Sequence, residues 1–246
     1  MIIDVSNTIG KHRFKPEVHW QDLLLAMDES EVDIAVVHAY AESQDNESVE
    51  QAFTTHPKRF LGLFSVNPWE DGSTREFESA LTNRGFSGLF MDPLRHGYML
   101  CETKVFYPLL EVCATYNVPV WCYGAGEVFS APVFFADIAQ AFPTVKIIMG
   151  RMGLQYDNAS AVQVAKNHPN IYLETSASMD FNTHRAIKVA GIDKVLLGTG
   201  TPEANYFPLE IAKVRNAACN YPEGEEKVLW KNAAHVFGLK EVDNDY

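Results

Sequence analysis

Polar side chains in this chain of 246 residues follow directly after apolar runs, where an active site can be built. The first run, Ile2–Val5, contains Asp4 and leads into Ser6, Asn7 and Thr8. Asp4 can accept hydrogen bonds from neighbouring strand ends, which is the role we favour, or act as a general base if its surroundings raise its pKa. A nucleophilic serine needs a basic partner, and no histidine partner for Ser6 or Thr8 is evident.

Arg151 is the most informative residue, because it ends another apolar run, "VKIIMGR". A guanidinium that is desolvated and unpaired costs several kcal/mol, so this side chain needs a partner. It either forms an internal salt bridge that fills the site or binds a carboxylate or phosphate of a ligand, since its planar fork suits both. The partners that the sequence offers are Asp92, Glu127, Glu174, Glu203 and a bound anion.

Three further residues end apolar runs and could contribute to a site. Asp92 follows "GLFM" and is our candidate catalytic acid, or else the partner of Arg151. Tyr123 ends "VPVWCY", and it either donates a hydrogen bond to a ligand oxyanion or packs on Trp121. Thr199 follows the last run and joins the hydroxyls of the first strand as a candidate ligand-binding residue.

Eight such apolar runs alternate with segments of helical period, which predicts an α/β protein. The runs begin at Met1, Val32, Phe60, Ser87, Val118, Val145, Asn170 and Lys194. Regular alternation without a glycine-rich phosphate loop favours a single (β/α)₈ TIM barrel over an open doubly wound sheet. We find no linker, so we expect one domain over residues 1–246.

In such a barrel the chemistry lies at the carboxyl ends of the strands, which is where the polar residues above fall. Counting back in twos from Tyr123 and Arg151 predicts an interior layer of Trp121, Met149 and Ile147. Among the helical segments, "PEVHWQDLLLAMDES" is expected to begin near Pro16 and "TREFESALTNRG" to end at a left-handed glycine.

Composition excludes several classes of partner. The formal net charge of −12 disfavours nucleic acid and anionic membranes, and no apolar run reaches the roughly 20 residues that span a bilayer. The four cysteines form no metal-binding spacing, and no signal peptide is visible. We therefore expect a cytoplasmic protein with reduced thiols and no cofactor.

Several motifs in order resemble the amidohydrolase superfamily, in its branch of metal-dependent hydrolases and decarboxylases. The opening "IIDVSNTIG" resembles the family's "IIDxHxHxG", "FPTVKIIMGRMG" resembles "FPDVKIILGHMG", "LLGTGTP" resembles "LFGSDYP", and "WKNAAHVFGL" resembles "GNAARLFGL". The likeness covers essentially the whole chain and implies the TIM-barrel fold. It also implies a homo-oligomer, with a dimer as the default expectation.

The same resemblance implies a metal site whose ligands are replaced here. The family places two histidines at the first strand, one each at the fifth and sixth, and an aspartate at the eighth. The matched residues are Ser6, Thr8, Tyr123, Arg151 and Gly200. Hydroxyls are poor ligands and glycine offers none. A guanidinium about 4 Å from a dication would be repelled by roughly 8 kcal/mol at an effective dielectric of about 20. We therefore expect no metal.

A relocated metal site would need other histidines. Only His38 and His96 lie at or near a strand end, and with Asp92 they could form a three-ligand set. Nothing in their spacing predicts that they converge, so we expect the histidines to be surface or loop residues.

Three functions remain open. The first is a family member without a metal that binds a small anionic ligand, or that has no ligand and no activity. The second is a metal-independent hydrolase, lactonase-like, or a decarboxylase of a small carboxylic acid. In it Arg151 would stabilise an oxyanion while Asp92 or Asp4 moves the proton. The third is an interaction or assembly subunit. By resemblance alone the protein would be a hydrolase, but it lacks the ligands that this activity uses.

Overall fold

The computed structural model describes residues 1–125 and 128–240. Eight strands form one sheet in sequence order, and every neighbouring pair runs parallel. The strands are β1 Ile3–Ile9, β2 Ile34–Ala39, β3 Phe60–Ser65, β4 Gly88–Met91, β5 Val120–Tyr123, β6 Ile147–Gly150, β7 Ile171–Glu174 and β8 Val195–Leu196. The predicted α/β barrel is confirmed.

Helices follow the strands and surround the sheet. They are α1 Trp20–Glu29, α2 Asn46–Thr55, α3 Ser73–Ser79, α4 Pro93–His96, α5 Thr103–Tyr116, α6 Phe134–Ala141, α7 Asn158–Asn167, α8 Asp180–Ala190, α9 Phe207–Ala218, α10 Gly224–Glu226 and α11 Asn232–Phe237. Wider π-type turns, Ala80–Arg84 and Lys227–Lys231, continue α3 and α10. The first of these ends at Gly85 with φ 83°, as the sequence predicts.

Backbone hydrogen bonds between β1 and the segment after β8 close the barrel. Val5 N donates to Leu197 O at 3.0 Å, Gly200 N to Ser6 O at 2.8 Å, and Thr8 N to Thr201 O at 2.9 Å. β1 therefore extends to Ile9. The expectation that the strand stops at Val5 was wrong, because the backbone of residues 6–8 still pairs on both sides.

Two apolar layers hold the barrel. The interior contains Trp121 and Ile148, while Cys122, Met149 and Ile147 pack between the sheet and the helices. Trp121 was predicted to face the interior and does so. The inward orientation predicted for Met149 and Ile147 was wrong, because Arg151 lies beyond the strand with a φ of 60°, so counting back from it gives the wrong parity.

Two helix predictions also need correction. α1 begins at Trp20 rather than near Pro16, because the backbone of Val18 pairs with that of Gly10 instead of entering a helical turn. α2 was not predicted at all. Its first turn is capped by the side chain of Asp45, which accepts a hydrogen bond from Ser48 N at 3.3 Å.

The barrel seam contains a buried carboxyl group. Asp4 accepts hydrogen bonds from Ser6 N at 2.9 Å, from Thr199 N at 3.1 Å and from the Thr199 hydroxyl at 2.5 Å. The Thr199 hydroxyl also lies 2.6 Å from that of Thr201. Complete burial raises the pKa of Asp4 to about 8, although these donors oppose the shift. Asp4 thus links β1 to the residues after β8.

None of the four cysteines forms a disulfide; Cys113 and Cys122 are buried, and Cys101 and Cys219 are exposed. Within residues 1–125 and 128–240, no helix has both the length and the apolar character needed to cross a membrane.

We predict that Asp4→Asn preserves the seam, because the amide oxygen can accept both N–H groups while its NH₂ donates to Thr199. A carboxyl whose pKa is raised by folding stabilises the fold most below its unfolded pKa of 3.8 and progressively less as the pH rises through about 8. The unfolding free energy of Asp4→Asn, relative to that of wild type, should therefore increase as the pH is raised from 5 to 9. Urea denaturation at a series of pH values measures this difference.

The matched control is Asp4→Ala, which leaves buried N–H groups unpaired and should have an unfolding free energy about 1–3 kcal/mol below that of Asp4→Asn at every pH. A difference between wild type and Asp4→Asn that does not change with pH would contradict this assignment.

Candidate functional site

A cavity of about 220 Å³ opens at the carboxyl ends of the strands. At about 30 Å³ per water molecule, it has room for roughly seven waters, or for a ligand of one ring. Its walls come from Thr8, His12, Lys15, His38, Tyr40, Ala41, Glu42, Phe90, Asp92, Leu94, Arg95, Tyr123, Arg151 and Glu203. Below, this cavity is called the mouth pocket.

The backbone after β6 directs Arg151 into the mouth pocket. Arg151 and Met152 both have positive φ values, 60° and 31°, which side chains other than glycine adopt at a cost of about 1–3 kcal/mol. The carboxylate of Glu174 holds this turn by accepting a hydrogen bond from Arg151 N at 2.9 Å. The guanidinium carbon then lies 4.6 Å from the centre of the Tyr123 ring, in cation–π geometry.

The Arg151 guanidinium forms no ion pair with a carboxylate within the described residues, although its charge partly offsets the rise that burial causes in the pKa of Glu174. The other two cations of the mouth pocket are paired, Lys15 with Glu203 and Arg95 with Glu42. Of the partners proposed from the sequence, Glu174 binds the backbone of Arg151 rather than its guanidinium, and Glu203 is engaged with Lys15.

Two proposed partners of Arg151 remain. Asp92 caps the first turn of α4 by accepting a hydrogen bond from Arg95 N at 3.1 Å, and it lines the mouth pocket. It forms no ion pair with Arg151 in the part of the chain that the structure describes. Glu127 lies outside the described residues.

Glu174 is fully buried beneath the pocket, and burial raises its pKa. Three donors oppose that shift: Arg151 N, Ser176 N at 2.5 Å and the Ser176 hydroxyl at 2.9 Å. Gly198 makes room for this carboxylate, because a Cβ atom there would lie 1.9 Å from Glu174 Oε1.

His38 forms part of the pocket wall, whereas the sequence suggested it only as one ligand of a relocated metal site. Its ring stacks on that of Phe90, with centroids 3.7 Å apart and 7° between the planes. Its Nδ1 lies 3.0 Å from Ala39 O, and because a carbonyl only accepts, Nδ1 carries the proton and Nε2 is left as an acceptor. Burial and the nearby Arg151 lower the pKa of His38 to about 4, so the imidazole is neutral. The expectation of a surface or loop residue was wrong here.

Tyr123 faces the interior with Trp121, their rings 4.9 Å apart and nearly perpendicular. Burial raises the pKa of the Tyr123 phenol well above its ordinary value, so its hydroxyl keeps its proton and can donate to a ligand. Thr8 adds a second hydroxyl to the pocket wall.

The loop after β1 contributes residues that the sequence analysis did not single out. His12 Nδ1 accepts hydrogen bonds from Phe14 N at 2.9 Å and Lys15 N at 3.0 Å. Its Nε2 therefore carries the proton and donates to Glu42 at 2.9 Å. The only sequence signal was the cluster of basic residues in "GKHRFK", directly after a strand.

The structure therefore brings together four of the seven predicted site residues: Asp92, Arg151, Tyr123 and Thr8. The other three, Asp4, Ser6 and Thr199, belong to the barrel seam and do not line the mouth pocket. The geometry does not support a catalytic role for Asp4 or a ligand-binding role for Ser6 and Thr199. The Asp4 carboxyl group accepts hydrogen bonds from the backbone of both residues and from the Thr199 hydroxyl.

The residues at this rim do not fit a divalent metal. Within the described ranges, no group of three or more histidine, cysteine, aspartate or glutamate side chains could hold an ion. The alternative set of His38, His96 and Asp92 does not converge, since His96 Nε2 lies 3.0 Å from Ala41 O. A permanent guanidinium cation, Arg151, lies in the pocket instead.

The family model of the amidohydrolases, Amidohydro_2, matches residues 13–239. The chain belongs to the amidohydrolase family. No curated protein matches the chain.

Solved structures share the amidohydrolase fold at low identity. A dihydroxybenzoic acid decarboxylase from Polaromonas sp. JS666, with bound manganese and the inhibitor 2-nitroresorcinol, is 18% identical with a TM-score of 0.72, covering 100% of this chain and 99% of that one. The 5-carboxyvanillate decarboxylase from Novosphingobium aromaticivorans, with manganese and 4-hydroxy-3-methoxy-5-nitrobenzoic acid, is 15% identical with a TM-score of 0.75, covering 97% and 96%. The 4-oxalomesaconate hydratase from Rhodopseudomonas palustris is 14% identical with a TM-score of 0.72, covering 97% and 96%.

The neutral His38 generates a prediction about acid stability. A histidine whose pKa is lowered by folding contributes stability that is present above its unfolded pKa of 6.5 and is lost as the pH falls toward about 4. The full shift corresponds to on the order of 3 kcal/mol. His38→Phe, which keeps an aromatic ring against Phe90, should lose much less unfolding free energy than wild type between pH 7 and pH 4.5 in urea denaturation.

His19→Gln serves as the matched control, because His19 is exposed, and it should follow wild type. If the His38→Phe and wild-type curves fall in parallel, His38 is not held neutral by burial.

Proposed function

We propose that this amidohydrolase-family protein binds a small carboxylate in the mouth pocket and does so without a resident divalent metal. The observation that carries the proposal is the Arg151 guanidinium, which lies on the Tyr123 ring with no carboxylate partner within the described residues. A ligand carboxylate would supply that partner.

Electrostatics favours an anion over a neutral ligand. Leaving a guanidinium partly desolvated and unpaired is unfavourable, and a carboxylate can accept two parallel hydrogen bonds from it. Lys15 and Arg95 at the pocket rim add positive charge, but their own carboxylate partners offset it. Arg151 is therefore the expected anchor, and the Tyr123 hydroxyl is a second donor for the same anion.

The shape of the pocket favours a flat acid. Phe90 and Tyr40 form apolar walls, and the volume of about 220 Å³ limits the ligand to about one ring. The decarboxylases with similar folds were solved with nitro-substituted aromatic ligands and manganese. That similarity supports an aromatic acid as ligand, whereas Arg151 at a matched metal-ligand position argues against the manganese.

A metal-independent decarboxylase or lactonase-like hydrolase is the second candidate, and His38 favours it. Its Nε2 is a neutral acceptor on the pocket wall, Arg151 could stabilise an oxyanion, and Asp92 lies in the same pocket to handle a proton. Catalysis distinguishes this candidate from simple binding. Protein from which metal has been removed should turn over an aromatic acid or a lactone, and His38→Phe should lose that activity.

We predict that Arg151→Asn weakens carboxylate binding while the fold is kept, because asparagine adopts a positive φ more readily than most residues. A charged hydrogen bond contributes about 1.5–3 kcal/mol, so the dissociation constant for benzoate should rise at least tenfold. Isothermal titration calorimetry with benzoate and butyrate measures both affinity and the preference for a ring.

Arg185→Gln is the matched control, since Arg185 is an exposed arginine on α8 whose guanidinium carbon lies 5.7 Å from the centre of the Phe181 ring and which does not line the mouth pocket. This variant should bind like wild type. Equal affinity of wild type and Arg151→Asn, or no affinity of wild type for either acid, would exclude the mouth pocket as a carboxylate site.

We predict that the protein retains no stoichiometric metal. After equilibration with zinc or manganese and removal of free ion, mass spectrometry should find far less than one equivalent per chain, because Arg151 repels a dication and the nearby hydroxyls are weak ligands. One tightly held equivalent at the rim, near Thr8 and Tyr123, would refute the metal-free proposal.

A further inference from the structure

The imidazole of His38 presents an acceptor to the mouth pocket that no described protein group uses. Its Nδ1 is bound to Ala39 O at 3.0 Å, whereas Nε2, on the opposite edge of the ring, has no hydrogen-bond partner within residues 1–125 and 128–240. The residue is only 3% exposed and lines the pocket, so a ligand that fills the pocket removes the water available to Nε2. A buried acceptor without a partner is unfavourable. A ligand is therefore expected to supply a donor at this position.

The surroundings of His38 keep Nε2 in the accepting state. A carbonyl only accepts, so Ala39 O holds the single proton of the neutral ring on Nδ1. A second proton is disfavoured, because burial and the charge of Arg151 lower the pKa of His38 to about 4. Stacking on Phe90, with centroids 3.7 Å apart, holds the plane of the ring. At neutral pH, Nε2 can thus accept a hydrogen bond and cannot donate one.

Other uncharged groups of the pocket wall place no such demand on a ligand. The hydroxyls of Thr8 and Tyr123 can each donate or accept. His12, the second imidazole in the wall, is already saturated, since its Nδ1 accepts from two backbone N–H groups and its Nε2 donates to Glu42. Among these groups, His38 alone distinguishes a ligand that carries a donor from one that does not.

A line of aromatic rings connects the guanidinium of Arg151 to this acceptor. The guanidinium carbon lies 4.6 Å from the centre of the Tyr123 ring, and that ring lies 6.2 Å from the ring of Phe90. Phe90 in turn stacks on His38. A flat acid whose carboxylate is bound by Arg151 can therefore extend along Phe90, with the far edge of its ring toward His38.

We propose that His38 is a specificity-determining residue, which selects aromatic acids whose ring carries a neutral hydrogen-bond donor, a hydroxyl or an amino group, on the edge away from the carboxylate. The inference rests on the proposed function, because Arg151 anchors the carboxylate. An unsubstituted ring leaves Nε2 without a partner. A methoxy group is worse, since it only accepts and so places a lone pair against that of Nε2.

Isothermal titration calorimetry with benzoate, 3-hydroxybenzoate, 4-hydroxybenzoate and the two corresponding methoxybenzoates tests this selection. A net hydrogen bond to a buried neutral acceptor should tighten binding about three- to tenfold. Wild type should therefore bind at least one hydroxy acid more tightly than benzoate by that factor. The methoxy acid with the same substitution should bind no more tightly than benzoate.

Two variants assign the selection to His38. His38→Phe keeps a ring against Phe90 but has no acceptor, so it should bind benzoate and the preferred hydroxy acid with similar affinity. His38→Gln offers an amide that both accepts and donates, so it should no longer reject the methoxy acid. A purely structural role of His38 would instead change all the affinities by one factor. His19→Gln is the matched control, because His19 is exposed, and it should keep the wild-type preference.

The same titrations separate failure of this inference from failure of the proposed function. If benzoate binds to wild type but neither hydroxy acid binds more tightly, or if the gain persists in His38→Phe, the role of His38 is overturned while the carboxylate site stands. If none of the acids binds to wild type, the carboxylate site is excluded and the inference falls with it.

Discussion

The hydrogen bond from Arg151 N to the buried carboxylate of Glu174 is the contact on which the site depends. It holds the chain after β6 in a left-handed turn, and that turn places the guanidinium over Tyr123 instead of continuing the strand alternation. Gly198 leaves the space that Glu174 occupies. Glu174 therefore positions Arg151 through a backbone hydrogen bond. The guanidinium of Arg151 stays in the mouth pocket, where a ligand can reach it.

The hydrogen bonds of the barrel seam and the polar side chains of the mouth pocket lie on opposite faces of the sheet. Ile3 and Val5 face the interior, so Asp4 between them faces the other way and closes the seam with Thr199. The mouth pocket uses interior-facing ends such as His38 and Tyr123. The first strand therefore carries a structural acid at Asp4 and a pocket residue at Thr8.

Much of this architecture could be predicted from the sequence, because strands buried on both faces are continuous apolar runs that stand out from amphipathic helices. Arg151 could be singled out since a charge ending such a run needs a partner. Its φ could not be inferred, and so Met149 was assigned to the wrong face. His38 was noted at a strand end but assigned to the surface or a loop, because one histidine has no spacing pattern and only its stacking on Phe90 reveals its environment. α2 was missed although Asp45 and the spacing of Val49, Ala52 and Phe53 are typical of a capped amphipathic helix.

Anomalous diffraction from crystals soaked in bromide tests the central claim most directly, because bromide is a monovalent anion that scatters anomalously and needs no assumed ligand. The account predicts a bromide peak in the mouth pocket beside the Arg151 guanidinium, with that side chain still lying over Tyr123. A guanidinium bound to a protein carboxylate with no peak nearby, or a coordinated dication in the same pocket, would contradict it.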